Sequence, residues 1–159
     1  MNWTTTNITQ KYAVDILSWK YDEPYDFYNN VLSGEAILEL TRDAYRVIID
    51  ANHDVIGFYC TGNTAQVPAG NRIGAYQDDC IDIGFGMRPD LTGKGLGKNF
   101  LQLVLQNIEL EYDGSIRLTV ADFNKRAIQL YKRFNFRKKD EFYREDVKFI
   151  TMLRTSEGR

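Results

Sequence analysis

Residues 80–97 read CIDIGFGMRPDLTGKGLG, and the fold turns on how this stretch is understood. The apolar and small residues over 81–87 have strand character. Gly84 and Gly86 weaken it, as glycines do where a strand bulges or lets another group approach its backbone. Arg88, Pro89 and Asp90 end the strand, and glycines at 93, 95 and 97 lead into a helical pattern over 95–112. There Phe100, Leu101, Val104, Leu105, Ile108 and Tyr112 step by one, three or four and share one face. Strand, loop, glycine turn and helix in this order aim unpaired N–H groups at one spot, with the positive end of a helix dipole behind them. A pyrophosphate suits such a spot, and side chains at 93, 95 or 97 would obstruct it. Glycines that only permit a tight turn are the plainer alternative.

Two nucleotide patterns fail on this stretch. A P-loop built on Gly93-Lys94 would need glycine where Arg88 stands and a magnesium-holding hydroxyl where Gly95 stands. The dinucleotide pattern GxGxxG leads from Gly84 and Gly86 to Pro89, and from Gly93 and Gly95 to Lys98.

The rest of the chain bounds the possibilities. With 159 residues, 43% of them hydrophobic and 26% charged, one domain over 1–159 with its own core is expected. A net charge of −2 gives no bulk attraction to phosphate backbones or anionic membranes, so neither a nucleic acid nor a membrane is expected as partner. The two cysteines, Cys60 and Cys80, show neither metal spacing nor a disulfide framework, and no secretory leader precedes them; a reducing cytoplasm is the expected home. The single histidine, His53, falls between two strand-like runs and reads as a turn residue, so no metal site is expected.

Outward from the glycine stretch, strands are expected at 45–50 and 55–60 as a hairpin, at 116–120, and at 137–143 and 148–153. Asn7 is expected to cap a helix over 8–18, and Asn124 one over 125–133. Residues 61–79 read as a polar connector. The class is mixed α/β.

A second stretch, NKRAIQLYKRFNF at 124–136, joins the first. Thr92-Gly-Lys-Gly-Leu-Gly97 after a strand ending in Met-Arg-Pro resembles the acyl-CoA signature Q/R-x-x-G-x-G/A of the GNAT superfamily of N-acyltransferases. Asn124, followed seven residues later by Tyr131 and then a helix-ending turn, resembles that family's second motif. The resemblance covers residues 80–137 well and the first third only in general layout. Thr92 departs from the usual Gln or Arg. Asn135 stands where glycine is common, and asparagine tolerates the left-handed conformation such a turn needs.

The resemblance implies a mixed, mostly antiparallel central sheet flanked by helices, splayed into a V between two parallel strands at 81–87 and 116–120. Acetyl-CoA is implied as co-substrate, transferring its acetyl group to a primary amine by direct attack. The backbone of Phe85, Gly86 and Met87 is implied to pair with the pantetheine arm, and Thr92, Gly93, Lys94, Gly95, Leu96, Gly97 and Lys98 to cradle the pyrophosphate. The two lysines are alternatively just solvated. Asn124 is implied to bond the pantetheine region, a part compatible with capping its helix. Tyr131 is implied as proton donor to the departing thiolate, although Ala127, Leu130, Tyr131 and Phe134 share one helical face and Tyr131 also fits an ordinary core position.

Only a neutral amine attacks a thioester, and a lysine-like amine of pKa about 10.4 is unprotonated to about one part in 10³ at pH 7. A base is therefore expected. Some family members use a glutamate on the strand before Asn124, but Thr119 occupies that place here. Asp82 is the nearest replacement, acting directly or through water; pairing with Arg117 is its structural alternative. Tyr21, Asp22, Glu23, Tyr25 and Tyr28 mix carboxylates with aromatic rings, which suits a cationic amine, and similar proteins have the acceptor site in this region. An acyl-CoA sensor on the same fold, without turnover, is the alternative function. The acceptor amine and the oligomeric state are not written in these motifs.

Overall fold

Three successive threonines, β-branched and stiff at χ1, favour an extended chain, and Thr4–Asn7 forms strand β1. The computed structural model describes residues 2–42 and 44–158. Asn7 does not cap a helix. It ends β1, and its Oδ1 accepts a hydrogen bond from Arg46 Nη1 at 2.7 Å. Thr9 is the cap instead, its Oγ1 accepting from Tyr12 N–H at 3.4 Å, so helix α1 spans Gln10–Leu17 and buries Ala13, Ile16 and Leu17. Helix α2, Gly34–Leu40, escaped the sequence pattern because it is short and buries only Leu40; Ser33 caps it by accepting from Ala36 N–H.

Strands β2 (Tyr45–Ile49) and β3 (Val55–Thr61) form the expected antiparallel hairpin. Asp50 organises its turn, accepting through Oδ1 from Asn52 and Asp54 N–H, while His53 takes a positive φ of 66° in an exposed turn. The connector folds into two short 3-10 turns, Gly62–Ala65 and Pro68–Ile73. Strand β4 is Ile81–Met87, and helix α3 runs over Gly97–Glu109, beginning two residues later than its periodicity suggests. Gly95 has φ +78° and so stays outside the helix. Strand β5 (Ile116–Ala121), helix α4 (Lys125–Arg133), strand β6 (Arg137–Arg144) and strand β7 (Val147–Arg154) close the chain. Asn135 has φ +71°, the left-handed turn its side chain permits.

The seven strands lie in one sheet in the order β1-β2-β3-β4-β5-β7-β6. Pairs β1/β2, β2/β3, β5/β7 and β6/β7 are antiparallel, whereas β4/β5 is parallel, matching Ile81, Asp82 and Ile83 with Ile116, Arg117 and Leu118. Strand β6 has a single buried side chain, Phe142, among its charged residues, a composition that discourages pairing with further chains at a sheet edge.

Contacts divide the chain into two compact units. The first comprises residues 1–60 and 85–103. Its core gathers Ile8, Ala13, Ile16, Leu17, Leu40, Val47, Ile49 and Val55, with Tyr12, Trp19 and Phe58 packed against it. Phe58 is also why position 86 must be glycine: a Cβ there would lie 2.7 Å from its ring. The second unit comprises residues 61–84 and 104–159. Ile116, Leu118 and Val120 are buried from one face of β5, and Phe136, Ile150 and Met152 are buried in the same unit.

Gly57 is the tightest of these close approaches, since a Cβ there would come 2.4 Å from the Phe100 ring and 2.6 Å from the Gly86 carbonyl oxygen. The backbone atom cannot yield as a side chain can. Gly57→Ala is expected to lower unfolding free energy by about 3 kcal/mol in urea denaturation. Gly34→Ala, whose Cβ meets nothing within 4 Å, is expected to leave stability unchanged or slightly raised.

Candidate active site

In the first unit, the exit from β4 is tied down by arginine. Arg88 N–H donates to the Ile56 carbonyl (2.8 Å), its Nη1 to the Val55 carbonyl (3.1 Å) and its Nε to Asp90 Oδ1 (2.7 Å). That last bond from the guanidinium holds the Asp90 carboxyl below its usual pKa. Pro89–Leu91 makes a single 3-10 turn, and Thr92 closes it by donating its hydroxyl to the Pro89 carbonyl at 2.7 Å. Thr92 therefore spends its proton on its own turn, where a Gln or Arg would reach outward.

Gly93 and Gly95 both have positive φ, 73° and 78°, which residues with side chains rarely adopt. A Cβ on Gly95 would meet nothing within 4 Å, so the turn borders open space. Helical bonding reaches Phe100, whose N–H donates to the Leu96 carbonyl at 3.0 Å. The N–H groups ahead of it start a helix, where no carbonyl four residues back is available to them. Lys94 and Lys98 are exposed beside this start. Glycines in left-handed conformation, open space and donors at a helix start are what a diphosphate cradle needs.

Of the strand residues expected to meet the pantetheine arm, Phe85 sets its ring 6.2 Å from that of Phe100, and Met87 offers its carbonyl to the Tyr21 hydroxyl at 2.7 Å. The aromatic loop is thus joined to the end of β4. Tyr21 N–H also donates to Asn29 Oδ1, and burial pushes the Tyr21 phenol up to about 12. Tyr25 and Tyr28 are half-buried in a 3-10 turn, Tyr25–Tyr28, with the Tyr28 ring edge-on to Phe27. Asp22 and Glu23 are exposed.

In the second unit, Asp82 and Arg117 are 3% and 1% exposed and form a two-point ion pair, Nε to Oδ1 at 2.6 Å and Nη2 to Oδ2 at 2.8 Å. Gln66 Nε2 donates to the same Oδ2 at 2.8 Å. Of the two parts the sequence leaves open to Asp82, the pairing with Arg117 is present in the fold. The Arg117 guanidinium lies 4.9 Å from the centre of the Tyr76 ring, and the Tyr76 hydroxyl is 2.8 Å from Thr119 Oγ1. Gln66 and Tyr76 come from the connector, where no periodicity marks them.

Asn124 caps α4, its Oδ1 accepting from Ala127 N–H at 3.3 Å. Tyr131 is 9% exposed on α4, with its ring 6.4 Å from that of Phe136 and nearly perpendicular to it. Cys60 is buried and Cys80 half-buried, and neither is in a disulfide.

A family model, the acetyltransferase (GNAT) family, matches residues 10–136. The chain belongs to the GNAT acetyltransferases. Acyltransferase activity and acetyl-CoA as co-substrate come with that membership. Comparison with curated proteins finds no match. Among solved structures, a chimera of the spermidine N-acetyltransferase SpeG from Vibrio cholerae with hSSAT is 17% identical over 99% of this chain and 98% of that one, TM-score 0.68. An N-acetyltransferase from Staphylococcus aureus Mu50 is 15% identical over 98% and 99%, TM-score 0.69. An uncharacterized protein of Bacillus halodurans is 17% identical over 98% and 84%, TM-score 0.75. At these identities the likeness establishes the GNAT fold alone.

Another SpeG structure is described in complex with manganese ions. Among the described residues of this GNAT chain, no group of three or more His, Cys, Asp or Glu is placed to hold a metal. No helix among them is long and apolar enough to cross a membrane.

The tie between Tyr21 and β4 has a measurable signature. A free tyrosine ionises near pH 10, so between about pH 10 and 12 the unfolded chain has released a proton that folded Tyr21 still holds. Stability therefore falls as pH rises through that window. Tyr21→Phe is expected to flatten this loss in urea unfolding curves taken across it, and to remove one late-ionising phenol from the alkaline absorbance titration of the folded protein.

Proposed function

We propose that the chain, as one acetyltransferase domain over residues 1–159, transfers an acetyl group from acetyl-CoA to a primary amine by direct attack. The observation that carries this reading is the left-handed glycine turn at 93 and 95, open to space at Gly95, leading into the start of α3 within a chain of GNAT membership. In this reading residues 92–98 hold the diphosphate through backbone N–H groups, with Lys94 and Lys98 adding positive charge. Backbone groups of Phe85, Gly86 and Met87 pair with the pantetheine arm, and an N–H among them polarises the thioester carbonyl. Asn124 bonds the pantetheine region while also capping its helix.

The amine nitrogen attacks the thioester carbon, the carbon–sulfur bond breaks, and Tyr131 gives its hydroxyl proton to the leaving thiolate. The amine's own proton leaves through water. With both oxygens held by Arg117 and Gln66, Asp82 acts in this reading on the water and side chains around it and does not take the proton directly. Tyr21, Asp22, Glu23, Tyr25 and Tyr28 border the acceptor. Several structural neighbours are spermidine N-acetyltransferases, which makes a polyamine the first amine to try. The reaction has no need of a metal, and two cysteines outside any disulfide agree with a cytoplasmic setting.

Calorimetry with acetyl-CoA, followed by release of CoA thiol over a panel of amines, tests the reading. Heat without turnover would make the chain a sensor of acyl-CoA, and no heat would remove the coenzyme site altogether. Gly95→Val is expected to abolish the melting shift produced by acetyl-CoA while the circular dichroism spectrum is retained. Gly95→Ala, gentler on the backbone, is expected to move it in the same direction. Tyr131→Phe is expected to lower kcat by about 10² to 10⁴-fold with little change in KM for acetyl-CoA.

A further inference from the structure

In a trans peptide the N–H and the C=O point in opposite directions. The peptide that joins Met87 to Arg88 is held at both ends: its N–H donates to the Ile56 carbonyl at 2.8 Å, and its C=O accepts from the Tyr21 hydroxyl at 2.7 Å. All of these residues belong to the first unit. On either side of this peptide the chain leads to one part of the coenzyme site in the reading above. On the N-terminal side, Met87 presents its N–H and its C=O to one edge of β4, the edge turned away from Ile56, so the group assigned to the pantetheine arm lies beside the bond from Tyr21. On the C-terminal side, Leu91 N–H returns to the Arg88 carbonyl at 3.0 Å, Thr92 N–H to the Pro89 carbonyl at 3.2 Å, and Arg88 Nε holds Asp90. Those bonds leave little slack between the peptide and the turn at 93 and 95.

Tyr21 is the part of this clamp that comes from the loop between α1 and α2. Each of residues 18–33 is exposed or half-buried, so the loop has little apolar burial to hold it. Several of its hydrogen bonds stay within it: Tyr21 N–H to Asn29 Oδ1 at 2.7 Å, Tyr25 N–H to the Asp22 carbonyl at 2.7 Å, Asn29 N–H to the Asp26 carbonyl at 3.0 Å and Lys20 Nζ to the Asn30 carbonyl at 3.4 Å. At its start the Trp19 ring rests 6.1 Å from that of Phe58. The bond from the Tyr21 hydroxyl crosses to β4, so the internal network and the crossing bond meet in one residue. A segment held this lightly opens and closes at little cost, and anything that steadies the far end of the crossing bond shifts it toward the closed state.

We infer that Tyr21 couples the loop over 18–33 to the coenzyme, by fixing the loop to the peptide from which both the pantetheine edge and the diphosphate turn depart. This rests on the coenzyme site of the acetyl-transfer reading and deepens it: coenzyme on the turn steadies the Met87–Arg88 peptide, and the loop which that reading sets beside the acceptor closes with it. Tyr21 is a positioning residue here. It donates one hydrogen bond and changes neither charge nor covalent state. Because coupling is reciprocal, the closed loop tightens the coenzyme by the same factor with which the coenzyme closes the loop.

The test is hydrogen exchange, read by mass spectrometry on peptides spanning 20–31, in the full chain with and without saturating coenzyme A. In the wild type, coenzyme A is expected to slow exchange of these amides about fivefold, the low end of ordinary coupling between two sites. Tyr21→Phe is expected to abolish the slowing and to raise Kd for coenzyme A, measured by calorimetry, by about the same factor. Asn29→Ala loosens the loop from within and leaves the crossing hydroxyl in place, so exchange there is expected to be faster throughout while the response to coenzyme A is kept. Slowing in Tyr21→Phe equal to that in wild type, no slowing in a wild type that gives heat with coenzyme A, or a response lost equally in Asn29→Ala, would overturn the inference and leave acetyl transfer standing. No heat from coenzyme A with the wild type would remove the coenzyme site and the inference together.

Discussion

The buried pair Asp82–Arg117 is the interaction on which the parallel strands β4 and β5 depend. Taking two ions out of water costs several kcal/mol each, repaid only by good geometry and by partners for the remaining polar atoms. Both conditions are met on the carboxylate side. Two guanidinium nitrogens reach the two oxygens of Asp82, and Gln66 bonds one of them again. Because side chains alternate along a strand, sliding β4 by one residue against β5 would send Asp82 to the opposite face and strand the Arg117 charge. The pair thereby specifies register, and with it the row that ends at Thr119 and Tyr76.

In the first unit the controlling constraint is space. Gly57 and Gly86 are small because Phe58 and Phe100 fill the volume their side chains would take. Gly93 and Gly95 are small for a different reason. Their backbone conformation is left-handed, and at Gly95 nothing stands nearby. Packing explains the first two, while at Gly95 there is room that the described residues do not fill. That contrast separates the glycines of the core from those of the turn before α3.

The loop over residues 21–28 and the connector were the least readable regions, for related physical reasons. Tyr21 reaches the Met87 carbonyl across 66 positions of sequence, and Tyr76 reaches Thr119 across 43. Neither contact has a local pattern, since each depends on a single long side chain bridging to a backbone or hydroxyl group brought near by the fold. Asn7 shows the same effect in reverse. Its residue type suits a helix cap, but pairing of β1 with β2 and the bond from Arg46 draw it into a strand.

By itself the sequence determined the elements whose signals are local. The β2/β3 hairpin follows from alternation and a polar turn, α3 from its apolar spacing, α4 from Asn124, and the left-handed turns at 93, 95 and 135 from residues that tolerate positive φ. The two motifs that mark GNAT membership are of this kind, being backbone shapes written in a few adjacent residues. Tertiary structure alone decided that Asp82 joins Arg117, that Tyr21 is tied to β4, and that Thr119 has Tyr76 as its partner. Those outcomes depend on strand register and on which side chains burial leaves to satisfy one another, and neither is encoded within a few neighbouring positions.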